Sequence, residues 1–189
     1  MSAELRPITI AAVPRWQAAR QGAKLAMQCG ERQLTWDEVN TRSNQVAQAL
    51  YSSGVKPGSR VAFLGKDSEL AYEFVFGVAK AGAVLMGINW RLAPPEVRFI
   101  LEDGEAVLLV LGAEFVENMA SAWEGNEGLL DVLVVDGQAG GLPPYEAWRD
   151  GAPADDPGRP DDPEEVVVQM YTSGTTGHPK GVQLANRSF

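Results

Sequence analysis

The sequence predicts an α/β fold: a mainly parallel sheet with helices on both faces. Three observations carry this. Short apolar runs alternate with stretches of helical periodicity along most of the chain. Those runs are continuously apolar rather than alternately polar, as strands covered on both faces must be. The 189 residues are 45% hydrophobic and 22% charged, the composition of a globular protein with enough apolar surface to bury a core.

Taken in order, Leu25 to Cys29 and Gln33 to Thr35 flank Gly30-Glu31, the pattern of a small hairpin. A helix follows from about Trp36 to Ser53, where Trp36, Val39, Val46, Ala49 and Leu50 recur on one side. Thr35 and Glu38 fit a capping box, each side chain satisfying a free backbone N–H, and Gly54 can close the helix. Lys56-Pro57-Gly58-Ser59 turns the chain into a strand, Arg60 to Leu64, and Ser68 to Ala81 reads as its crossover helix. The alternation repeats with strand Ala83 to Ile88, a helix from Pro95 to about Glu102 with proline at its permitted first turn, and strand Ala106 to Leu111. A weaker helix, Glu114 to Trp123, precedes strand Asp131 to Val135. No internal repeat is visible.

Between Gly137 and Pro163 the composition turns to Gly, Pro, Asp and Ala, interrupted by Tyr145 to Arg149 as a single helical turn. This segment reads as a solvated surface connection, and the pairs Asp155-Asp156 and Asp161-Asp162 as solvated charge, since no EF-hand spacing accompanies them.

Sixteen Lys and Arg against 25 Asp and Glu leave a formal net charge of -9, which opposes binding to a nucleic-acid backbone over most of the surface. No apolar stretch approaches the roughly 18–20 residues that span a bilayer, so any membrane association would be peripheral. The single cysteine, Cys29, cannot form an internal disulfide, and the first residues lack the pattern of a secretory signal, so a cytoplasmic location is expected. Cys29 and the tryptophans Trp36, Trp90, Trp123 and Trp148 read as packing residues, and Arg91 as structural.

The informative segment begins with the β-branched run Glu165 to Tyr171 and continues Thr172-Ser173-Gly174-Thr175-Thr176-Gly177-His178-Pro179-Lys180-Gly181. Phosphate oxygens need several converging N–H and O–H donors. Glycines let consecutive amides face one concavity, hydroxyls add donors, and Lys180 adds a point charge. The spacing is not that of the Walker motif, because Pro179 precedes Lys180 and Gly181 follows it. On composition alone, a Gly/Thr hairpin joining Val166–Tyr171 to a second strand, Gly181–Ala185, is equally open.

The string from Tyr171 to Val182 closely resembles the phosphate loop of the adenylate-forming superfamily, which includes acyl-CoA synthetases, luciferases and peptide-synthetase adenylation domains. The resemblance extends over roughly Lys24 to Phe189 through LTWDEVNTRSNQVAQAL, GVKPGSRVAFLGKDS and VFGVAKAGAVLMGINWRLAPPEVRFIL. The segment Gly87 to Leu92, followed by Glu96 and Ile100-Leu101, is similar to acyl-CoA synthetases. What the resemblance implies is a two-step ligase. A carboxylate attacks the α-phosphorus of Mg-ATP, pyrophosphate leaves, and the acyl-adenylate passes to the thiol of coenzyme A, with a medium- or long-chain fatty acid as substrate. Thr172, Ser173, Thr175, Thr176 and Lys180 would then contact the β- and γ-phosphates, Gly174, Gly177 and Gly181 would supply backbone freedom, and Thr176 would lie near magnesium. His178 reads as facing solvent.

Members of this superfamily are much longer. The resemblance implies that the acyl pocket, the adenine and ribose contacts, the acidic residue at magnesium and the lysine of a C-terminal domain lie beyond Phe189. Residues 1–189 are therefore expected to form an incomplete N-terminal portion of the large adenylate-forming domain, connected through 137–163 to the phosphate loop 171–181. That portion would expose apolar sheet surface, be inactive by itself, and end where Asn186 or Ser188 could cap a following helix. Two rivals stay open: transfer to a carrier-protein thiol, and a nonenzymatic nucleotide-binding or interaction module. Oligomeric state is open as well.

Overall fold

The computed structural model describes residues 9–172 and 179–189. Helix α1 (Ala12–Gln21) leads into the antiparallel hairpin β1 (Leu25–Cys29) and β2 (Arg32–Thr35). Then follow α2 (Trp36–Ser52), β3 (Arg60–Leu64), α3 (Glu69–Ala81), β4 (Val84–Gly87), α4 (Pro94–Asp103) and β5 (Ala106–Gly112). The chain continues with α5 (Val116–Trp123), β6 (Asp131–Val135), α6 (Tyr145–Asp150), β7 (Val166–Thr172) and β8 (Lys180–Ala185). Among the described residues the main sheet has six strands in the order β6-β5-β3-β4-β7-β8, parallel except for the β7–β8 pair.

The unbroken apolar strands are explained by their two covered faces. Val61, Leu108, Val110, Leu133 and Val135 pack with Leu70, Phe74 and Val78 of α3 and with Tyr145 of α6. Their alternating neighbours Ala62, Leu64, Leu109, Leu111 and Val134 pack with Val97 and Leu101 of α4 and Val116 and Met119 of α5. The right-handed rule for crossovers accounts for which helix lies where. The chain steps one way from β3 to β4 and from β6 to β7, and the other way from β4 to β5 and from β5 to β6, so α3 and α6 share one face and α4 and α5 the other.

Local signals set the ends. Thr35 and Glu38 form the expected capping box, Thr35 Oγ1 accepting from the Glu38 amide and Glu38 Oε2 from the Thr35 amide. Ser68 caps α3 rather than starting it, and Gly82 closes α3 in the left-handed conformation at φ 69°. Trp36 is half-buried, while Val39, Val46, Ala49 and Leu50 are fully covered. Helix α1 escaped prediction because Pro14 alone of its residues is buried, which leaves no apolar stripe to read.

The connection between β6 and β7 does more than bridge. Tyr145 is wholly buried and Arg149 nearly so. The stretch after α6 is tied down by Asn44 Nδ2 donating to the Ala154 carbonyl (2.9 Å) and Gln48 Nε2 to that of Asp155 (3.0 Å). Asp156 and Asp161 are not merely solvated: both pair with Arg15, at 2.6 and 3.2 Å. Nor is Asn186 a free cap. Its side chain accepts from the Ile10 amide (3.1 Å) and donates to the Asp162 carbonyl (2.9 Å), tying residues after β8 to those before α1 and β7. Each partner is remote in sequence, so composition could not reveal these ties.

Lys80 is completely buried on α3, its ammonium donating to Asn40 Oδ1 (2.7 Å), Asn44 Oδ1 (2.6 Å) and the Asn40 carbonyl (3.2 Å). Burial pulls its pKa down from 10.5 to about 7, with nearby Arg15 pulling the same way and Asp156 opposing. The unfolded chain therefore binds this proton more tightly than the fold does. The Lys80 contribution is complete above the unfolded value and is lost as pH falls towards about 7. Urea midpoints should accordingly rise from neutral pH to pH 9, and a Lys80→Met variant should lack that part of the rise. An identical pH slope in the variant would refute it. No helix among the described residues is long and apolar enough to cross a membrane.

Candidate functional site

Strands β3, β4 and β7 run parallel, so their carboxyl ends share one edge of the sheet. The connections leaving β3 and β4 go to opposite faces, and a crevice opens between those two strand ends, where α/β sheets characteristically bind ligands. Its volume is about 320 Å³, and its lining includes Phe63, Gly65, Asp67, Tyr72, Asn89 and Trp90. Trp90 stacks on Phe115 with ring centroids 5.6 Å apart. The Arg91 guanidinium lies 3.9 Å from the indole centroid and the Lys66 ammonium 5.5 Å. Lys66 also pairs with Glu114 at 2.9 Å. The indole is thus stacked on one aromatic neighbour with two cations close to its ring, which places positive charge beside the crevice. Trp90 packs as expected, stacked on Phe115, and Arg91 lies over it as a structural residue; the crevice beside them is not legible in the sequence, because its parts come from the ends of separate strands. A larger, mainly apolar hollow of about 400 Å³, lined by Ile10, Val13, Pro163 and Phe189, lies at the start of β7, away from this edge.

The glycine-rich segment leaves the same edge. Thr172 ends β7 at the carboxyl side and pairs in register with Lys180, the first residue of β8; both are exposed. Thr172 and Lys180 are thus brought together as cross-strand neighbours, with a hydroxyl and an ammonium on adjacent strands. Their side chains share a face with the exposed pair Met170 and Val182, since side chains alternate along each strand. The second strand expected at Gly181–Ala185 is present, begins one residue earlier and pairs antiparallel with β7. Ser173, Gly174, Thr175, Thr176 and Gly177 lie outside the described residues, as does His178. The magnesium assignment to Thr176 falls there too, and among the described residues no three His, Cys, Asp or Glu side chains cluster as a metal site.

Residues 14–189 match the AMP-binding enzyme family. The chain belongs to that family. It is 42% identical over 186 residues to the fatty acid–[acyl-carrier-protein] ligase ScoC of Streptomyces coeruleorubidus, covering 96% of this chain and 34% of that protein. To the 3-hydroxybenzoate–CoA/4-hydroxybenzoate–CoA ligase of Thauera aromatica it is 35% identical, over 88% of this chain and 32% of that one. The crystal structure of the anthranilate CoA ligase AuaEII with anthranoyl-AMP superposes with a TM-score of 0.89 at 30% identity, covering 99% of this chain and 37% of that one. The chain spans about a third of the length of the curated relatives it matches.

Within this member of the family, Gly181 has a role other than the expected backbone freedom. It is absent from the glycines with positive φ. It faces Tyr171 across the ladder, and a Cβ there would come within 2.8 Å of Gln169 Nε2 and 3.1 Å of the Tyr171 ring. The position stays bare because a phenol lies across it. That phenol donates to Asp103 Oδ2 at 2.6 Å and accepts from Gln169 Nε2 at 3.2 Å. Partial burial, and then the Asp103 carboxylate, push the Tyr171 pKa up to about 12, so the hydroxyl keeps its proton as a donor.

Proposed function

We propose that these residues form the N-terminal portion of an ATP-dependent acid–thiol ligase. In this reading the carboxylate oxygen attacks the α-phosphorus of ATP, pyrophosphate departs, and the acyl-adenylate passes to a thiol. The observation that carries the reading is the in-register pair Thr172 and Lys180, bracketing a Gly/Ser/Thr segment at the carboxyl edge of a parallel sheet. A hydroxyl and a cation so placed fit the departing pyrophosphate, whose charge grows as the P–O bond breaks. Ser173, Thr175 and Thr176 would add hydroxyl donors there, and Gly174 and Gly177 the close backbone approach. Magnesium, when bound with ATP, would neutralise phosphate charge.

The preferred substrate is a medium- or long-chain fatty acid and the preferred acceptor coenzyme A. The names of the relatives support an organic acid, aliphatic or aromatic, as the class. A carrier-protein thiol is the second reading, favoured by the 42% identity to the ScoC ligase. The deciding experiment is carboxylate-dependent ATP–pyrophosphate exchange by the full-length protein with short, medium, long-chain and aromatic acids. Thioester formation is then assayed on coenzyme A and on a phosphopantetheinylated carrier protein. Exchange confined to one acid class names the substrate. A folded protein that binds ATP yet exchanges with no acid would overturn the ligase reading in favour of a nucleotide-binding module.

A further inference from the structure

The hydrogen bond between Tyr171 and Asp103 joins the root of the glycine-rich segment to the end of α4, 68 residues away. Asp103 is poorly placed for its own helix. It is the last residue of α4, where the carbonyl ends of the peptide dipoles repel a carboxylate, and the last turn holds no basic residue to compensate. Its partner therefore matters more than its helix.

From Tyr171 the contacts continue across the β7–β8 ladder. Buried Gln169 donates to the phenol oxygen and accepts from Gln183 Nε2 of β8 at 3.1 Å. Asp103, Tyr171, Gln169 and Gln183 thus link α4 to both strands on one face of the hairpin. Thr172 and Lys180 display their side chains on the opposite face, one residue farther along. The network is placed to fix where these two groups stand without itself reaching a ligand held by them.

We propose that Asp103, acting through the Tyr171 hydroxyl, is a positioning residue for the phosphate grip formed by Thr172 and Lys180. This rests on the reading of residues 171–181 as the loop that holds the ATP phosphates. A misplaced cation loses part of its interaction with the phosphates and leaves the carboxylic acid site untouched, so the defect belongs to ATP.

The test is steady-state pyrophosphate exchange in the full-length protein for Tyr171→Phe, Asp103→Ala, Asp103→Asn and Lys180→Ala, with ATP affinity measured by calorimetry on the same samples. Tyr171→Phe and Asp103→Ala should each raise the KM and Kd for ATP about 3- to 10-fold, the range spanned by one net hydrogen bond, with the KM for the acid unchanged. Asp103→Asn keeps an oxygen acceptor for the phenol and should restore most of the ATP affinity. The proposal is overturned if Lys180→Ala weakens ATP binding while Tyr171→Phe does not. It is overturned too if Asp103→Asn is as impaired as Asp103→Ala, or if the KM values for ATP and acid change in proportion with a falling Tm. If Lys180→Ala itself leaves ATP affinity intact, the phosphate-loop reading fails and this proposal with it.

Discussion

Replacing Lys180 by alanine in the full-length protein is expected to slow carboxylate-dependent pyrophosphate exchange by about 100- to 1,000-fold, the usual loss when one preorganised group facing transition-state charge is removed. In the proposed reaction pyrophosphate leaves with more negative charge than it carried in bound ATP, so an ammonium placed beside it, as proposed for Lys180, would interact more strongly at the transition state than in the ground state. The larger part of the loss should therefore fall on kcat rather than on the KM for the acid. Lys180 is exposed at the first position of β8, opposite Thr172, and its removal exposes no core, so the variant should melt with the parent. Exchange within about threefold of the parent would show that the charge serves something other than the leaving group.

The second large effect is on stability. Arg149 of α6 donates to Glu73 of α3 at 2.5 Å, and the two side chains are 6% and 0% exposed. Arg149 also pairs with Asp150 at 2.8 Å, and Arg42 lies 3.8 Å from the second Glu73 oxygen. Burial raises the Glu73 pKa despite Arg149, and the same burial drives the Tyr145 phenol well above its ordinary value. Arg149→Met leaves the carboxylate in the core with the Tyr145 phenol and, 3.8 Å away, Arg42, but without its short bond to a buried guanidinium. The expected cost is about 3–5 kcal/mol, a large share of the roughly 5–15 kcal/mol that holds a typical domain together. A Glu73→Leu/Arg149→Met double variant should recover most of it, because two apolar groups of similar volume need no compensation.

The pH dependence of that loss has a definite sign. An acid whose folded pKa is raised contributes fully below its unfolded value, and that contribution is lost as pH rises through the folded one. Without Arg149 the Glu73 pKa climbs further, so Arg149→Met should be less destabilised at about pH 5 than at about pH 8. Urea denaturation at both values checks this. A single variant within about 1 kcal/mol of the parent at pH 8 would mean that water reaches Glu73 after all.

Most of the elements were legible because their signals are local. A capping box spans four residues, a helix stripe repeats within one or two turns, and β5, like β3 after Arg60, is an apolar run between turn residues. Boundaries moved by a residue or two, as at α4, which starts at Pro94 and runs to Asp103, and at β2, which starts at Arg32. The candidate loop was legible for a similar reason: its glycines, hydroxyls and lysine lie in one short string. The crevice at Trp90 was not, since its walls come from the ends of β3 and β4 and the start of α3.

By itself, then, the amino-acid order determined the alternation of strands and helices, the fold class and the position of the Gly/Ser/Thr segment proposed as the phosphate loop, because hydrophobic period, capping and glycine content act between residues a few positions apart. Only the tertiary structure decided that the strands stand in the order β6-β5-β3-β4-β7-β8 and that Lys80 is buried among Asn40 and Asn44. It also decided that Glu73 finds Arg149 across 76 positions and that Asp103 reaches Tyr171 across 68. Such partners are chosen by which surfaces the packed helices and sheet bring within hydrogen-bond reach, a distance that no local pattern encodes.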